Sequence, residues 1–195
     1  PTCRRCALHS RARNRCVKAR VEGDISSGNR LLTVGIAPGA EEDRASAPNV
    51  GESGTYLRYT IKKLWAGAVA HTNAVNCYSG TSASGGLNTP SPAEIAACRP
   101  YVKEVINQLA PTRILALGSP AISSLLGRSP AISSVRRGFS WAGGIPVIFL
   151  MHPAAAIRNR FIKAEWIADL EWALKTPDSF FAERKSLLAS GVTYA

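Results

Sequence analysis

Short apolar runs alternate along this chain with longer segments whose apolar residues recur at helical spacing. Four short segments predict β-strands: Leu31–Ile36, Arg113–Leu117 and Ile145–Met151, which are rich in Leu, Ile or Val, and His71–Asn76. Strands that alternate with helices are typical of a parallel sheet covered on both faces. The sequence therefore predicts a three-layer α/β fold, with a central, mainly parallel four-stranded sheet flanked by helices, in a single domain over residues 1–195.

Four other segments predict helices. Gly54–Ala66 carries apolar and aromatic residues at helix-compatible spacing. The run SPAE, which begins at Ser91, has the serine, proline and glutamate of a helix start, and this helix is expected to run to about Leu109. Another start is expected at residues 118–120, and a last helix is expected from about Asn159 to Lys175.

Residues with functional potential follow several of the predicted strands. Ala37 and Gly39 come after the first strand, Asn73 lies in the second, and His152 comes after the fourth. Parallel sheets bind ligands at the carboxyl ends of their strands. We therefore expect these residues to lie near one site.

Four of the five cysteines occur in an order that is typical of a metal centre. Cys3 and Cys6 form a C-x-x-C pair, a spacing that lets both sulfurs point the same way, and Cys77 and Cys98 follow singly. Four thiolates from separate positions suit a [4Fe–4S] cluster or a structural zinc. The alternative is a disulfide pair with scattered free thiols, which the odd count left by Cys16 disfavours.

The formal net charge of +11 indicates a polyanionic partner. Nucleic acid is favoured over an anionic membrane surface because the basic residues gather in three clusters. These are Arg4, Arg5, Arg11, Arg13, Arg15, Lys18 and Arg20; Arg136 and Arg137; and Arg158, Arg160 and Lys163.

The sequence contains no stretch of the roughly 18 apolar residues that a membrane span needs, and no export signal opens it. The expected compartment is the reducing cytoplasm, where a C-x-x-C pair holds a metal more often than a disulfide. We expect a monomer that binds DNA and no membrane.

Seven segments, in their order and spacing, give the chain a family resemblance. They read C-R-R-C-A-L-H, G-I-A-P-G-A-E-E-D, A-P-N-V-G-E-S-G, N-A-V-N-C, A-C-R-P-Y, R-I-L-A-L-G and M-H-P-A-A-A-I-R-N-R. Over nearly its whole length the chain resembles the uracil-DNA glycosylase superfamily, most closely the iron–sulfur enzymes of family 4. The resemblance implies a [4Fe–4S] cluster, mainly structural, that staples the N-terminal segment to the sheet near DNA. Its implied ligands are Cys3, Cys6, Cys77 and Cys98, which leaves Cys16 as an extra thiol.

The resemblance also implies roles for three side chains near the strand ends. A glycosylase takes its target base out of the duplex and stabilises an anionic leaving base. His152 would then hydrogen-bond the base O2 as charge builds there, Asn73 would read the base through its amide, and Glu42 would order water or contact the base. Each residue also has a purely structural alternative. His152 could be an imidazole of the core, Asn73 could cap a turn, and Glu42 could be a charge at a helix start. The expected DNA-binding residues are Arg136, Arg137, Arg158, Asn159 and Arg160.

The chain departs from the family pattern around the base. Ile36 stands where the family commonly has glutamate, Asn49 where it has the phenylalanine that stacks on flipped uracil, and Ala154 where it has serine. Loss of the stacking ring removes roughly 1–3 kcal/mol of base affinity but leaves free volume. The base pocket is expected to consist of Ile36, Ala37, Gly39 and Asn49.

Three functions remain open on the same scaffold. The favoured one is a monofunctional DNA glycosylase for a pyrimidine larger than uracil, such as occurs in hypermodified phage DNA, with a role in anti-phage defence. The alternatives are a uracil-DNA glycosylase of base-excision repair and a non-catalytic DNA-binding module. A zinc-stabilised nucleic-acid binder represents a different class, which iron and sulfide in the purified protein would exclude.

Overall fold

The structure, a computed structural model, describes residues 3–14, 16–26, 28–83, 85–127 and 137–189. Arg15 and Arg136 lie outside the described residues. The six strands are β1 (Arg20–Glu22), β2 (Arg30–Gly35), β3 (Ala68–Asn73), β4 (Arg113–Leu117), β5 (Phe139–Ala142) and β6 (Ile145–Leu150). The helices are α1 (Ala40–Ala45), α2 (Glu52–Leu64), α3 (Pro92–Leu109), α4 (Ser119–Leu126), α5 (Pro153–Arg158), α6 (Arg160–Lys175) and α7 (Asp178–Ala189), with a 3-10 turn at Ala7–Ser10.

The strands form one sheet in the order β1-β3-β2-β4-β6-β5. The four central strands run parallel, and β1 and β5 pair antiparallel with β3 and β6 at the two edges. The prediction of an α/β fold with a mainly parallel sheet is confirmed, but the predicted count of four strands is wrong. The strands β2, β4 and β6 were recognisable because burial on both faces makes them largely continuous apolar runs, whereas β3 also buries His71, Thr72 and Asn73. The edge strands have no such run: β1 is three residues long with Val21 51% exposed, and β5 is half-buried throughout.

Helices cover both faces of the sheet. Alternate strand residues, among them Leu31, Leu115 and Ile148, pack against α2 and α6, while Leu32, Ile114 and Val147 face α3 and α4. This period of two places every second side chain on the same face. Among the described residues, no helix is long and apolar enough to cross a bilayer.

The predicted helix boundaries agree closely with α2, α3, α4 and α6, and β4 has the predicted bounds. The second predicted strand is shifted, because β3 begins at Ala68 and ends at Asn73. The serine cap predicted for α3 is present: Ser91 Oγ accepts a hydrogen bond from Glu94 N–H at 3.3 Å. The helices α1, α5 and α7 were not predicted.

Candidate active site

The segments that follow β2, β3 and β6 meet at one edge of the sheet. The backbone N–H of Ala74 donates to Gly35 O at 2.9 Å, and that of Val75 donates to Ile36 O at 3.2 Å. These bonds join the loop after β2 to the end of β3. His152 follows β6, two strands further along the sheet. The structure thus places His152, Asn73 and the loop that starts at Ile36 along the carboxyl edge, where parallel sheets bind ligands.

The protonation state of His152 follows from its surroundings. His152 is the N-cap of α5, and its Nδ1 accepts a hydrogen bond from the backbone N–H of Ala154 at 3.3 Å. Burial, together with the positive charge of Arg158, lowers the pKa of His152 to about 4. The ring is therefore neutral near pH 7, and because Nδ1 acts as an acceptor, the proton lies on Nε2.

Asn73 is the last residue of β3 and is 6% exposed. Its side chain lies directly over Gly35, its register partner on β2. A Cβ atom at Gly35 would overlap Asn73 Oδ1. Glycine at position 35 therefore leaves the space in which the Asn73 amide sits. Within the described part of the chain, no residue hydrogen-bonds this amide, which leaves its donor and acceptor for a ligand.

Glu42 braces two loops with its carboxylate. Oε2 accepts from Gly39 N–H at 3.0 Å, and Oε1 accepts from Gly51 N–H at 2.7 Å. Gly39 and Gly51 are the N-caps of α1 and α2, so this carboxylate fixes both helix starts. The helix-start role, one of the two readings of this residue, accounts for both bonds.

Glu42 also lines a cavity of about 330 Å³ between the starts of α1 and α2 and the helix α5. The other lining residues include Glu41, Gly51, Ser53, Ala154, Ile157 and Arg158. His152 and Asn73 are not among the lining residues, and the cavity adjoins His152 through the neighbouring Ala154. A carboxylate and a guanidinium therefore face solvent-accessible space beside the histidine.

The expected base-pocket residues lie on the loops after β2 and before α2. Ala37 is buried, and Ile36 is half-buried beside Gly118 at the start of α4. Asn49 has a φ of +56°, in the left-handed region that asparagine tolerates better than most residues. The α2 helix approaches so closely at Gly54 that a Cβ there would overlap the Asn49 backbone. The helix α2 thus packs directly against the backbone of Asn49.

The expected DNA-binding residues differ in their surroundings. Arg158 Nε donates to Ala154 O at 3.2 Å at the cavity, and Asn159 caps α6 by accepting from Phe161 N–H at 2.9 Å. The Arg160 guanidinium lies 5.0 Å from the centre of the Phe161 ring. Arg137 differs, because its Nε makes an ion pair with the buried Asp169 carboxylate at 2.8 Å.

Comparison with known proteins decides the family. The sequence model described as "Uracil DNA glycosylase superfamily" matches residues 22–173. The chain is 33% identical to the type-4 uracil-DNA glycosylase of Pyrobaculum aerophilum over 178 residues, 86% of either chain. It is also 33% identical to the type-4 uracil-DNA glycosylase of Thermotoga maritima over 162 residues, 81% of this chain and 79% of the other. The chain belongs to the uracil DNA glycosylase superfamily.

Three cysteines of this glycosylase, Cys6, Cys77 and Cys98, belong to one small apolar cluster that includes Leu8, Val75 and Ile95. Cys77 and Cys98 are 3% and 4% exposed, whereas Cys3, Cys6 and Cys16 are half-buried. All five, each within the described residues, are free thiols. Burial raises the pKa of Cys98 to about 12, so a thiolate there requires a compensating positive charge such as a metal centre.

The fit to a metal centre has two further aspects. The backbone N–H of Cys16 donates to Cys77 Sγ at 3.4 Å, the kind of hydrogen bond to sulfur that tunes iron–sulfur clusters. Among the described residues, no group of three or more His, Cys, Asp or Glu side chains is arranged to hold a single metal ion.

Asp43 attaches the N-terminal segment of the glycosylase to α1, the helix that follows β2. Its two carboxylate oxygens accept from the backbone N–H groups of Arg13 and Asn14, each at 2.8 Å. Val17 N–H donates to Asn76 O at 2.7 Å, and Leu8 is fully buried. These contacts join the segment that carries Cys3 and Cys6 to α1 and to the loop after β3.

Sequence reasoning missed two buried features on the face that carries Asn73. One is the space over Gly35, for which the glycine of the G-I-A-P-G segment was the available signal. The other is His71, 1% exposed, whose Nδ1 lies 2.7 Å from Thr33 Oγ1 and whose pKa burial lowers to about 4. A histidine within a strand-like run carries no sequence signal of such a bond.

Proposed function

We propose that this DNA glycosylase flips a pyrimidine out of DNA and hydrolyses its N-glycosidic bond, leaving an abasic site and an intact strand. The observation that carries the proposal is the pairing of two groups at the carboxyl edge, the Nε2–H of a neutral His152 and the free amide of Asn73. When the bond between C1′ and the base breaks, negative charge accumulates on the base. A fixed N–H donor at the base O2 is worth more in that transition state than in the ground state.

Asn73 and His152 would have different roles in the reaction. The amide of Asn73 can donate to O4 and accept from N3–H, a pattern that selects a pyrimidine edge. The neutral ring of His152 stabilises the departing anion by a hydrogen bond, because a pKa of about 4 leaves it no proton to transfer from Nδ1 near pH 7. Glu42 would fix the loops beside the base and face the water of the adjoining cavity.

The proposed substrate is a pyrimidine with a substituent larger than that of uracil, as in hypermodified phage DNA, which would make the enzyme a defence protein. Its support is that the sequence departs from the family pattern at the base pocket, where none of Ile36, Ala37, Gly39 and Asn49 provides an aromatic ring. The backbone of Asn49, with a φ of +56°, suits asparagine and strains a ring-bearing residue. Uracil excision in base-excision repair remains the second candidate, favoured by the relatives named type-4 uracil-DNA glycosylases.

The cofactor in this proposal is a [4Fe–4S] cluster held by Cys3, Cys6, Cys77 and Cys98. Its support is the buried position of Cys77 and Cys98 and the N–H that Cys16 donates to Cys77 Sγ. When bound, the cluster would stabilise the N-terminal segment, whose arginines face DNA. No chemical step depends on it, and the Cys16 thiol is left outside the ligand set.

We also propose that a single domain acts as a monomer on DNA in the cytoplasm. Arg158, Asn159 and Arg160 form a short basic segment directly after the histidine helix α5, and this position supports contacts with phosphates. Arg137 precedes β5 at the same edge of the sheet, where Gly138 O accepts from Phe149 N–H. Arg136, the preceding residue in the sequence, is proposed as a phosphate contact with it. The ion pair to Asp169 would orient Arg137.

The test is a comparison of three DNAs: uracil-containing, unmodified and hypermodified. Abasic sites are counted after incubation with the wild-type protein and with His152→Ala. Abasic sites in hypermodified DNA support the proposed substrate, and abasic sites in uracil-containing DNA alone favour repair. DNA binding without abasic sites on any substrate would leave a non-catalytic module.

A pair of variants at Asn49 tests whether the size of the base pocket sets the substrate preference. Asn49→Phe should shift excision towards uracil and away from the bulky base, whereas Asn49→Ala, which meets the same backbone constraint without adding a ring, should not. An equal shift in both variants would mean that the backbone, not the ring, sets the preference.

A further inference from the structure

A second cavity, of about 250 Å³, lies between the second half of α2 and the strands β1 and β3. The side chains that line it include Glu22, Arg58, Ile61, Trp65, Val69 and His71. It shares no described lining residue with the cavity beside His152. The space under α2 is therefore separate from the candidate active site.

The wall of this cavity contains a buried donor. His71 Nε2 has no hydrogen-bond partner in the described part of the chain, and Nδ1 of the same ring lies 2.7 Å from the hydroxyl of the fully buried Thr33. No other described group bonds to that hydroxyl, so if it accepted from Nδ1 its own proton would be unpaired. The hydroxyl therefore donates to Nδ1. Because burial lowers the pKa of His71 to about 4, the ring is neutral near pH 7 and carries its proton on Nε2.

Glu22 places an acceptor beside this donor. Its Oε1 accepts from Arg20 Nε at 2.9 Å and from Arg58 Nε at 2.6 Å. Its Oε2 lies 4.0 Å from His71 Nε2, which is too far for a hydrogen bond. None of the described residues donates to Oε2. An unpaired donor and an unpaired acceptor thus lie side by side at the cavity.

One water molecule could bridge Nε2 and Oε2, but it would not fill the space. The cavity of about 250 Å³ is several times the share of about 30 Å³ that a water has in the liquid. The side chains of Ile61 and Val69 offer further waters no partner, and Trp65 Nε1 already donates to Ala68 O. Ligand pockets combine apolar walls with a few polar groups and start at about 300 Å³ for drug-sized molecules. This cavity therefore suits a smaller ligand.

The charges around the cavity select a neutral ligand. An anion at His71 Nε2 would lie against the Glu22 carboxylate, and a cation would lie against Arg58 and Lys62, which also line the cavity. A lactam has a C=O and an N–H side by side and carries no charge. It can accept from Nε2–H and donate to Oε2 at the same time. A flat ring that carries the lactam would also pack against Trp65.

We propose that this cavity binds a small neutral lactam ring, whose C=O accepts from His71 Nε2–H and whose N–H donates to Glu22 Oε2. Free pyrimidine bases belong to this class, so the base that the proposed reaction releases would be a ligand. His71 precedes Asn73 by two residues on the same face of β3, about 7 Å along the strand. The bound ring would thus lie near the amide that reads the flipped base. The binding itself does not depend on the proposed function, since it requires neither DNA nor catalysis.

The first measurement observes the histidine rings by long-range ¹H–¹⁵N spectroscopy of the full chain. Uracil should shift the Nε2 signal of His71 saturably, and the shift should persist in His152→Ala, whose candidate active site lacks its histidine. 1,3-Dimethyluracil, which keeps the ring and both carbonyls but has no N–H, should leave the signal in place. A His71 signal that uracil does not shift up to its solubility limit would overturn the proposal. So would an equal shift with 1,3-dimethyluracil, or a shift with inorganic phosphate alone.

The second measurement is a calorimetric titration of His152→Ala with uracil, repeated after a second substitution. His71→Phe removes the donor and keeps a planar ring, so it should weaken binding about tenfold, the scale of one hydrogen bond. Lys63→Ala is the matched control, because Lys63 follows the lining residue Lys62 but packs over the Tyr59 ring, and it should leave the affinity unchanged.

Unchanged affinity in a folded His71→Phe protein would contradict the proposal. If that variant does not fold, the ring signals decide, since they require no change at His71. Failure of the proposed function looks different: no DNA would gain abasic sites, while uracil would still shift the His71 signal.

Discussion

The backbone N–H of Ala154 donates a hydrogen bond to Nδ1 of His152 at 3.3 Å. This bond makes Nδ1 an acceptor and assigns the proton of the neutral ring to Nε2, which is the atom left to face a base. His152→Ala should lower the single-turnover rate by roughly 10²-fold, the scale on which a positioned donor to a developing anion is lost. Unchanged thermal unfolding would show that the loss is chemical, and a rate within the wild-type range would remove His152 from the mechanism.

Acid should destabilise the folded protein through two histidines. Burial lowers the pKa of His71 and of His152 to about 4, whereas an unfolded histidine titrates near about 6.5. Between these pH values the unfolded chain binds more protons, so the free energy of unfolding falls as the pH drops from about 6.5 towards 4. For the fully buried His71 the loss approaches about 3 kcal/mol.

Urea unfolding at pH 7.5, 6 and 5 measures this slope. His71→Gln and His152→Gln should each flatten it, because neither glutamine takes up a proton. A slope that persists in the double variant would assign the acid sensitivity to other groups.

Gly35 should matter to catalysis only through Asn73. A methyl group at position 35 overlaps Asn73 Oδ1, so Gly35→Ala should displace the amide and slow excision about as much as Asn73→Ala does. The two changes should therefore not add in the double variant. Gly28→Ala is the control, since a Cβ there meets nothing within 4 Å. Additive losses would separate Gly35 from the function of Asn73.

The cysteines should differ in their effect on a bound cluster. Cys77→Ala removes a buried thiol and should abolish the iron and sulfide content and the colour, and lower the melting temperature, because metal binding is coupled to folding. Cys16→Ala should keep the colour, since its contact with Cys77 Sγ comes from the backbone N–H. Bleaching by Cys16→Ala but not by Cys77→Ala would reverse the assignment.

The predictable parts of the fold are the strands and helices whose burial requires a regular pattern of apolar residues in the sequence. Leu31, Leu115 and Ile148 lie in strands buried on both faces, and such strands read as continuous apolar runs. The edge strand that carries Val21 pairs along one side alone and has no such pattern. The carboxyl-edge position of Asn73 and His152 followed from the parallel topology.

Other features of the site depend on contacts between distant residues. The backbone of Asn49 is left-handed and packs against α2 at Gly54, and both oxygens of Glu42 are occupied because two glycine N–H groups converge on them. Neither arrangement is visible in the local sequence around these residues. The ion pair of Arg137 with Asp169 likewise joins residues 32 positions apart.

The central claim is hydrolysis of an N-glycosidic bond assisted by His152, and the reaction in water enriched in ¹⁸O tests it most directly. Mass spectrometry of the products of the three-DNA panel should find a free pyrimidine base, an uncleaved strand, and ¹⁸O on C1′ of the abasic sugar before that position exchanges. His152→Ala should yield these products roughly 10²-fold more slowly. Absence of a free base from every DNA that the wild-type protein binds, or release that His152→Ala leaves unchanged, would contradict the claim.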